Sequence, residues 1–252
     1  MYSNTRGLVL RDVKYRDSDK ILTVLTEEWG KLTVKAKNAY GKNSKYSAST
    51  QLLCYSDMTL FQNRGRWNLN EASVVESFEG IRQDILKLSL GSYIAELMEA
   101  VSDEDMPSTA LLYLGLNALF ALSRGLYDER HIKSVFELRL MCLSGYAPML
   151  EGCSVCGRRD IQSPVFYLRD GVIRCRDCCR DCIAEDYGAH FGLSADVLMA
   201  MVHVIGSDAK RIFSFSLEGS EKRRFASLCE EYALAHLERR FRTLDYYRAL
   251  DL

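Results

Sequence analysis

The chain has 252 residues, 48% hydrophobic and 27% charged, with a formal net charge of -1 and nine cysteines. That length supports one large domain or two ordinary ones with their own apolar cores, which excludes dependence on a disulfide scaffold. No run approaches the roughly 18 apolar residues of a membrane span, and the first twenty residues lack a signal-peptide core, so the reading is a soluble cytoplasmic protein. In a reducing compartment, clustered cysteines are better read as metal ligands or redox groups than as structural disulfides.

From Arg6 to Val75 the texture is of short runs rich in Val, Leu, Ile, Thr and Tyr separated by turn residues. GLVLRDVKY, KILTVLTEE and KLTVKAKN read as three strands, and LLCYSDMTLFQ and WNLNEASVV as two more around the turn NRGR. Five short strands predict a small closed or nearly closed barrel, because closure removes the edges that a lone five-stranded sheet would present. Lys and Arg outnumber Asp and Glu 12 to 9 over residues 1–80, and the balance reverses to 6 against 9 over 81–150. Lys31, Lys35, Lys37, Lys42 and Lys45 fall between Trp29 and Ser56 without one intervening carboxylate, the most one-sided electrostatic segment of the chain.

Near Gly80 the periodicity changes. IRQDILKLSLGSYIAELMEAV carries apolar residues at spacings of three and four, predicting one amphipathic helix that stops at the acidic stretch SDEDMP, read as a solvated turn. Pro107 is placed in the first turn of the next helix, STALLYLGLNALFALS, which Gly125 ends. DERHIKSVFELRLMCLSG is a third, with Asp128 as cap and Gly145 as stop. Residues 146–190 interrupt the pattern with CxxC pairs, glycines and the β-like VFYLRDGVIRC. Helical periodicity resumes in LSADVLMAMVHVI, capped by Ser194, and in a long segment from Ser220 to about Leu250.

Cys153-Ser-Val-Cys156-Gly157, eighteen intervening residues and Cys175-Arg-Asp-Cys178 have the spacing of a four-thiolate zinc site, in which each turn points two sulfurs inward. Such a Zn2+ is structural: it supplies folding free energy where an excursion of about forty residues has little apolar surface, and four thiolates leave no position for a reacting water. Cys179-Arg-Asp-Cys182 is a competing second pair, and the turn GVIRC, which delivers Cys175 from a β-like piece, favours Cys175 and Cys178. Arg158, Arg159, Arg174, Arg176 and Arg180 surround the cluster and would offset its charge. Cys54, Cys142 and Cys229 stand alone in apolar patterns and read as buried small hydrophobes.

The chain has no HExxH, GxSxG or GxGxxG, and His131, His190, His203 and His236 are scattered, so a catalytic role is the weaker hypothesis. A barrel with a lysine-rich face and exposed rings such as Tyr40 and Tyr46 suits nucleic acid, the lysines following phosphates and the rings stacking bases. If all five lysines contacted single-stranded phosphates, the salt slope would be about -3.5. Arg239, Arg240 and Arg242 form a second basic candidate, with a solvated helix face as the competing reading.

GLVLRDVKYRDSDKILTVLTEEWGKLTVKAKNA, FELRLMCLSGYAPMLEGCSVCG, GVIRCRDC and EEYALAHLERRFRTL stand in the order and spacing of the RecO family of bacterial DNA repair proteins, which the chain resembles over nearly its whole length. The run before CxxCG departs from that pattern at Ser144, and Thr243 occupies a serine position in the closing run. The resemblance implies an α+β chain: an N-terminal OB-fold β-barrel over residues 1–80, then a helical C-terminal domain over 81–252 with a four-cysteine zinc module inserted at about 146–190. It assigns the zinc to Cys153, Cys156, Cys175 and Cys178. It also implies no bond chemistry, but binding of single- and double-stranded DNA, annealing of complementary strands, and action with RecR and RecF in loading RecA on DNA coated with single-stranded-DNA-binding protein, whose acidic tail some members bind. A nucleoid-associated location follows. The alternative from another class is a zinc-stabilised adaptor acting mainly through protein contacts, and a metal-dependent nuclease is a third class for which no carboxylates stand out.

Overall fold

The computed structural model describes residues 2–41, 44–180 and 190–251, which form two compact units. Unit one comprises residues 1–126 and 241–252, and unit two residues 127–240. Unit one opens with five strands, β1 (Tyr2–Tyr15), β2 (Asp19–Thr26), β3 (Gly30–Ala36), β4 (Tyr55–Asn63) and β5 (Arg66–Glu76). They close into a barrel in the order β1-β2-β3-β5-β4, with β1 antiparallel to both β2 and β4 and a short parallel seam joining Val34 and Lys35 of β3 to Trp67 and Asn68 of β5. Closure follows from alternation: Leu22, Val24, Leu32, Val34, Ala36, Met58 and Leu60 form the buried interior, while β2 is also covered on its other face, where Thr23 and Leu25 are buried. A register shift between Val9 and Arg11 bends β1 so that it serves both neighbours.

The tight turn before β3 depends on Gly30. Its φ of +67° is in the left-handed region, and a Cβ there would lie 2.3 Å from the carbonyl oxygen of Met106. That close approach brings the acidic segment onto the barrel: the backbone of Glu104 bridges Gly30 and Lys31, and the Lys31 N–H donates to the Asp103 carbonyl at 3.3 Å. The backbone of SDEDMP is thus docked on the barrel, while Asp103, Glu104 and Asp105 stay exposed, as expected of a solvated acidic turn.

The helix expected over residues 81–101 is two, α1 (Glu79–Arg82) and α2 (Ile85–Val101). Asp84 divides them because its carboxylate accepts from the backbone N–H groups of Leu86 and Lys87, capping α2 and ending the first turn. α3 (Thr109–Arg124) has Ser108 at its N-cap, which puts Pro107 just outside rather than in the first turn; Gly125, at φ +62°, ends it as expected. α2 packs against β1, α3 and the terminal helix α8 (Arg242–Leu250). The first compact unit therefore runs beyond the barrel to residue 126, because α2 packs against β1.

In unit two, α4 (Glu129–Leu143) packs against α6 (Ala195–Gly206) and α7 (Gly219–Leu237). Asp128 and Ser194 cap α4 and α6 by accepting from the His131 and Val197 N–H groups, and Gly145, at φ +88°, follows the end of α4. The helix read from Ser220 to Leu250 is broken at Glu238, whose φ is +49°, because α7 serves unit two and α8 serves unit one. Within unit one, Phe241 meets Tyr93 edge-on at 5.8 Å, and the Thr243 hydroxyl donates to Glu96 at 2.5 Å. A serine at 243 would supply the same hydroxyl. A three-stranded sheet, β7-β6-β8, completes unit two, with β6 Val165–Tyr167, β7 Val172–Arg174 and β8 His190–Gly192.

Candidate metal centre and nucleic-acid grooves

The hairpin of β6 and β7 positions the cysteines. β7 ends at Arg174 and hands Cys175 to the short helix α5 (Arg176–Arg180), which carries Cys178 one turn on. The first pair sits on a turn tied to the same strand, the Ser154 N–H donating to the Ile173 carbonyl at 2.9 Å, while Gly157, at φ +71°, donates to the Cys153 carbonyl at 2.9 Å. The sulfurs of Cys153, Cys156, Cys175 and Cys178 lie within 4.8 Å of one another, and those of Cys156 and Cys175 are 3.8 Å apart. A tetrahedron with metal–sulfur bonds of about 2.3 Å has edges of about 3.8 Å, so the donor set fits one ion.

The electrostatics suit thiolates. Burial pushes the Cys153 thiol up, but backbone N–H groups of Cys156, Cys175 and Val155 outweigh this and bring it down to about 6. Hydrogen bonding to Cys175 pushes the Cys178 thiol up. Arg158 lies against Asp177 at 3.0 Å and feels the charge of Cys175 and Cys156, while Arg174 sits 4.1 Å over the Tyr167 ring. Cys179 is not in the cluster; its sulfur accepts from the Tyr167 hydroxyl at 3.4 Å. Cys182 lies outside the described residues.

Of the solitary cysteines, Cys54 and Cys229 are fully buried and Cys142 half-buried. Three of the four histidines are held by carbonyl oxygens through Nε2: His131 with Phe213, His203 with Arg211 and His236 with Leu168, at 3.1, 2.9 and 3.0 Å. His190 is exposed and stacks on Tyr167.

The basic segment of the barrel does not form one patch. Lys31 and Lys35 share the outer face of β3 and line one groove, while Lys37, in the turn after the strand, lines another. The first, about 510 Å³, is lined by Tyr15 at the end of β1 and Arg16 beyond it, by Gly65 of the β4–β5 turn with Arg66 and Trp67 at the start of β5, by Lys31 and Lys35 of β3, and by Glu104 and Asp105. Arg16 and Lys35 lie 5.2 and 5.3 Å from the centre of the half-exposed Tyr15 ring. Trp67, 5.5 Å from Trp29, gives a second aromatic surface. Two of the lysines are already engaged: Lys31 Nζ donates to the Glu99 carbonyl at 3.1 Å, and Lys35 pairs with Asp19 at 3.0 Å. The Asn38 N–H, then Lys35, holds the Asp19 carboxyl below its ordinary range.

The second groove, about 780 Å³, is lined by Lys37, Tyr40, Lys45 and Tyr46. Lys42 lies outside the described residues. Arg239, Arg240 and Arg242 are exposed; the first two belong to unit two and the third to unit one. Sequence reading missed Tyr15, Arg16, Arg66 and Trp67, whose signal was their position beside the two turns that bracket an OB-type groove.

Two family models cover the chain: recombination protein O N terminal matches residues 1–78, and recombination protein O C terminal matches residues 82–245. The chain is 32% identical over 250 residues to the DNA repair protein RecO of Acetivibrio thermocellus, covering 99% of this chain and 98% of that one. It is 37% identical over 177 residues to the RecO of Exiguobacterium sibiricum, 70% of each chain, and 27% identical over 247 residues to that of Caldicellulosiruptor bescii, 98% of each. With a five-stranded barrel, a four-cysteine cluster and these matches in hand, the chain belongs to the recombination protein O family of DNA repair proteins.

Proposed function

We propose that the chain is a non-catalytic mediator of DNA repair and recombination that binds DNA on its barrel and anneals complementary strands. In this reading it acts with RecR and RecF to help RecA load on DNA covered by single-stranded-DNA-binding protein. The observation that carries DNA binding is the first groove: cations along its lining, with Tyr15 and Trp67 among them, suit a strand whose phosphates meet Arg16, Lys35 and Arg66 while its bases stack. The metal held by Cys153, Cys156, Cys175 and Cys178 is Zn2+, the ion that a closed four-thiolate tetrahedron favours, and its contribution is to fold the module.

Annealing tests the reading. At about 50 mM salt the purified protein is expected to accelerate pairing of complementary oligonucleotides at least about tenfold over the spontaneous rate, with no divalent cation added. Failure to bind either strand would overturn it and leave an adaptor acting through protein contacts.

A further inference from the structure

The second groove is not an extension of the first. The two share no lining residue, and the β1–β2 turn stands between them, giving Arg16 to one and Ser18 to the other. Their chemistry also differs. The lining of the first includes Glu104 and Asp105, whereas the described lining of the second contains Lys37 and Lys45 and no carboxylate. Each tyrosine of the second groove has a cation against its ring: Lys14 Nζ is 4.6 Å from the centre of Tyr40, and Lys45 Nζ 4.7 Å from that of Tyr46. Tyr40 is 48% exposed, and Lys37 and Lys45 are exposed, so one ring and both charges are open to a ligand, while Tyr46 packs partly against the barrel core. Polar backbone and side-chain groups of Ser18, Asn38 and Asn70 complete the lining.

From this we infer that the barrel holds two single strands at once, the first in the groove between Arg16 and Arg66 and the second in the groove of Lys37, Tyr40 and Lys45. The inference rests on the proposed DNA-binding reading and adds a mechanism to it. Phosphates following three cations, Lys14, Lys37 and Lys45, contribute a salt slope of about -2, enough for weak and reversible capture. Bases stacked on tyrosine rings are held without use of their pairing edges. Two strands captured on either side of one short turn are brought together at high effective concentration, which is what annealing by a single chain requires.

Native mass spectrometry with a twenty-nucleotide oligothymidine tests this. One chain carrying two oligonucleotides is expected at saturation. The variant Lys37→Ala/Tyr40→Ala/Lys45→Ala should carry one and lose about tenfold in annealing rate while keeping its affinity for a single strand within about threefold. Tyr46 is left intact because its hydroxyl donates to the Asn70 carbonyl. One oligonucleotide per wild-type chain would mean that a single strand threads both grooves, overturning the inference while leaving the DNA-binding reading standing. Two oligonucleotides on the triple variant would overturn the assignment of the second groove. No oligonucleotide on the wild type would overturn the DNA-binding reading itself.

Discussion

Replacing any one of Cys153, Cys156, Cys175 or Cys178 by serine is expected to take zinc content from about one ion per chain to below about a tenth, while Cys179→Ser keeps it. The effect is large because the module has little else to hold it. β6 and β7 are three residues each, and the first cysteine turn is tied to them by single backbone bonds such as Ser154 to Ile173. Structural zinc in small modules contributes about 10–16 kcal/mol of apparent folding free energy at neutral pH, more than such a hairpin can supply from its own burial. Protease cleavage between Met149 and Cys175 should therefore appear in the serine variants and in chelator-treated protein, and be absent from the Cys179→Ser protein. Unchanged metal content in Cys156→Ser would place the ion on another set of sulfurs.

The second large effect is in the helical core of unit two. Lys133 is 4% exposed and Glu137 fully buried, and the Lys133 ammonium lies 2.8 Å from Glu137 and 2.6 Å from Glu230. Burial works against the charged lysine, yet the two carboxylates outweigh it and push its pKa up. Lys133→Met leaves Glu137 charged and buried between α4 and α7, which costs about 3–5 kcal/mol. For a unit of this size that corresponds to a fall in melting temperature of about 10–20 °C. Lys133→Met/Glu137→Leu should recover part of the loss, since the apolar pair needs no compensation while the partly exposed Glu230 keeps access to water. A double variant as unstable as the single would show that the loss comes from packing and not from the lost ion pair.

The parts of the molecule set by local pattern were legible in the sequence. Period-two runs give all five barrel strands, the cap residues Asp128 and Ser194 and the stop Gly125 fall where their chemistry puts them, and CxxC spacing gives the first pair of converging sulfurs while leaving two choices for the second, between which the turn GVIRC decides. What was hidden depends on contacts between distant residues. Arg16 and Arg66 lie fifty positions apart and line one groove only because the barrel closes. The run from Lys31 to Lys45 looks uniform in sequence, but the end of β3 at Ala36 sends Lys37 and Lys45 to a different groove from Lys31 and Lys35, and the Glu99 carbonyl and Asp19 engage the latter two. The acidic stretch Asp103–Asp105 is exposed as its charges suggest, but its backbone contact with the barrel, made where Gly30 lets the Met106 backbone approach, has no local signal. The break at Glu238 is invisible to periodicity, because both flanking helices are amphipathic and only their partners differ.

The central claim is that the barrel groove binds single-stranded DNA, and the salt dependence of that binding tests it most directly. Arg16 and Arg66 are exposed and outside the apolar core, so Arg16→Ala/Arg66→Ala should fold normally. Measured by fluorescence anisotropy of a labelled oligothymidine between about 50 and 300 mM salt, the double variant is expected to bind at least about tenfold more weakly at the lowest salt. Its log–log slope should be shallower than that of the wild type by about 1.4, the contribution of two phosphate contacts. An affinity and slope indistinguishable from the wild type would contradict the account.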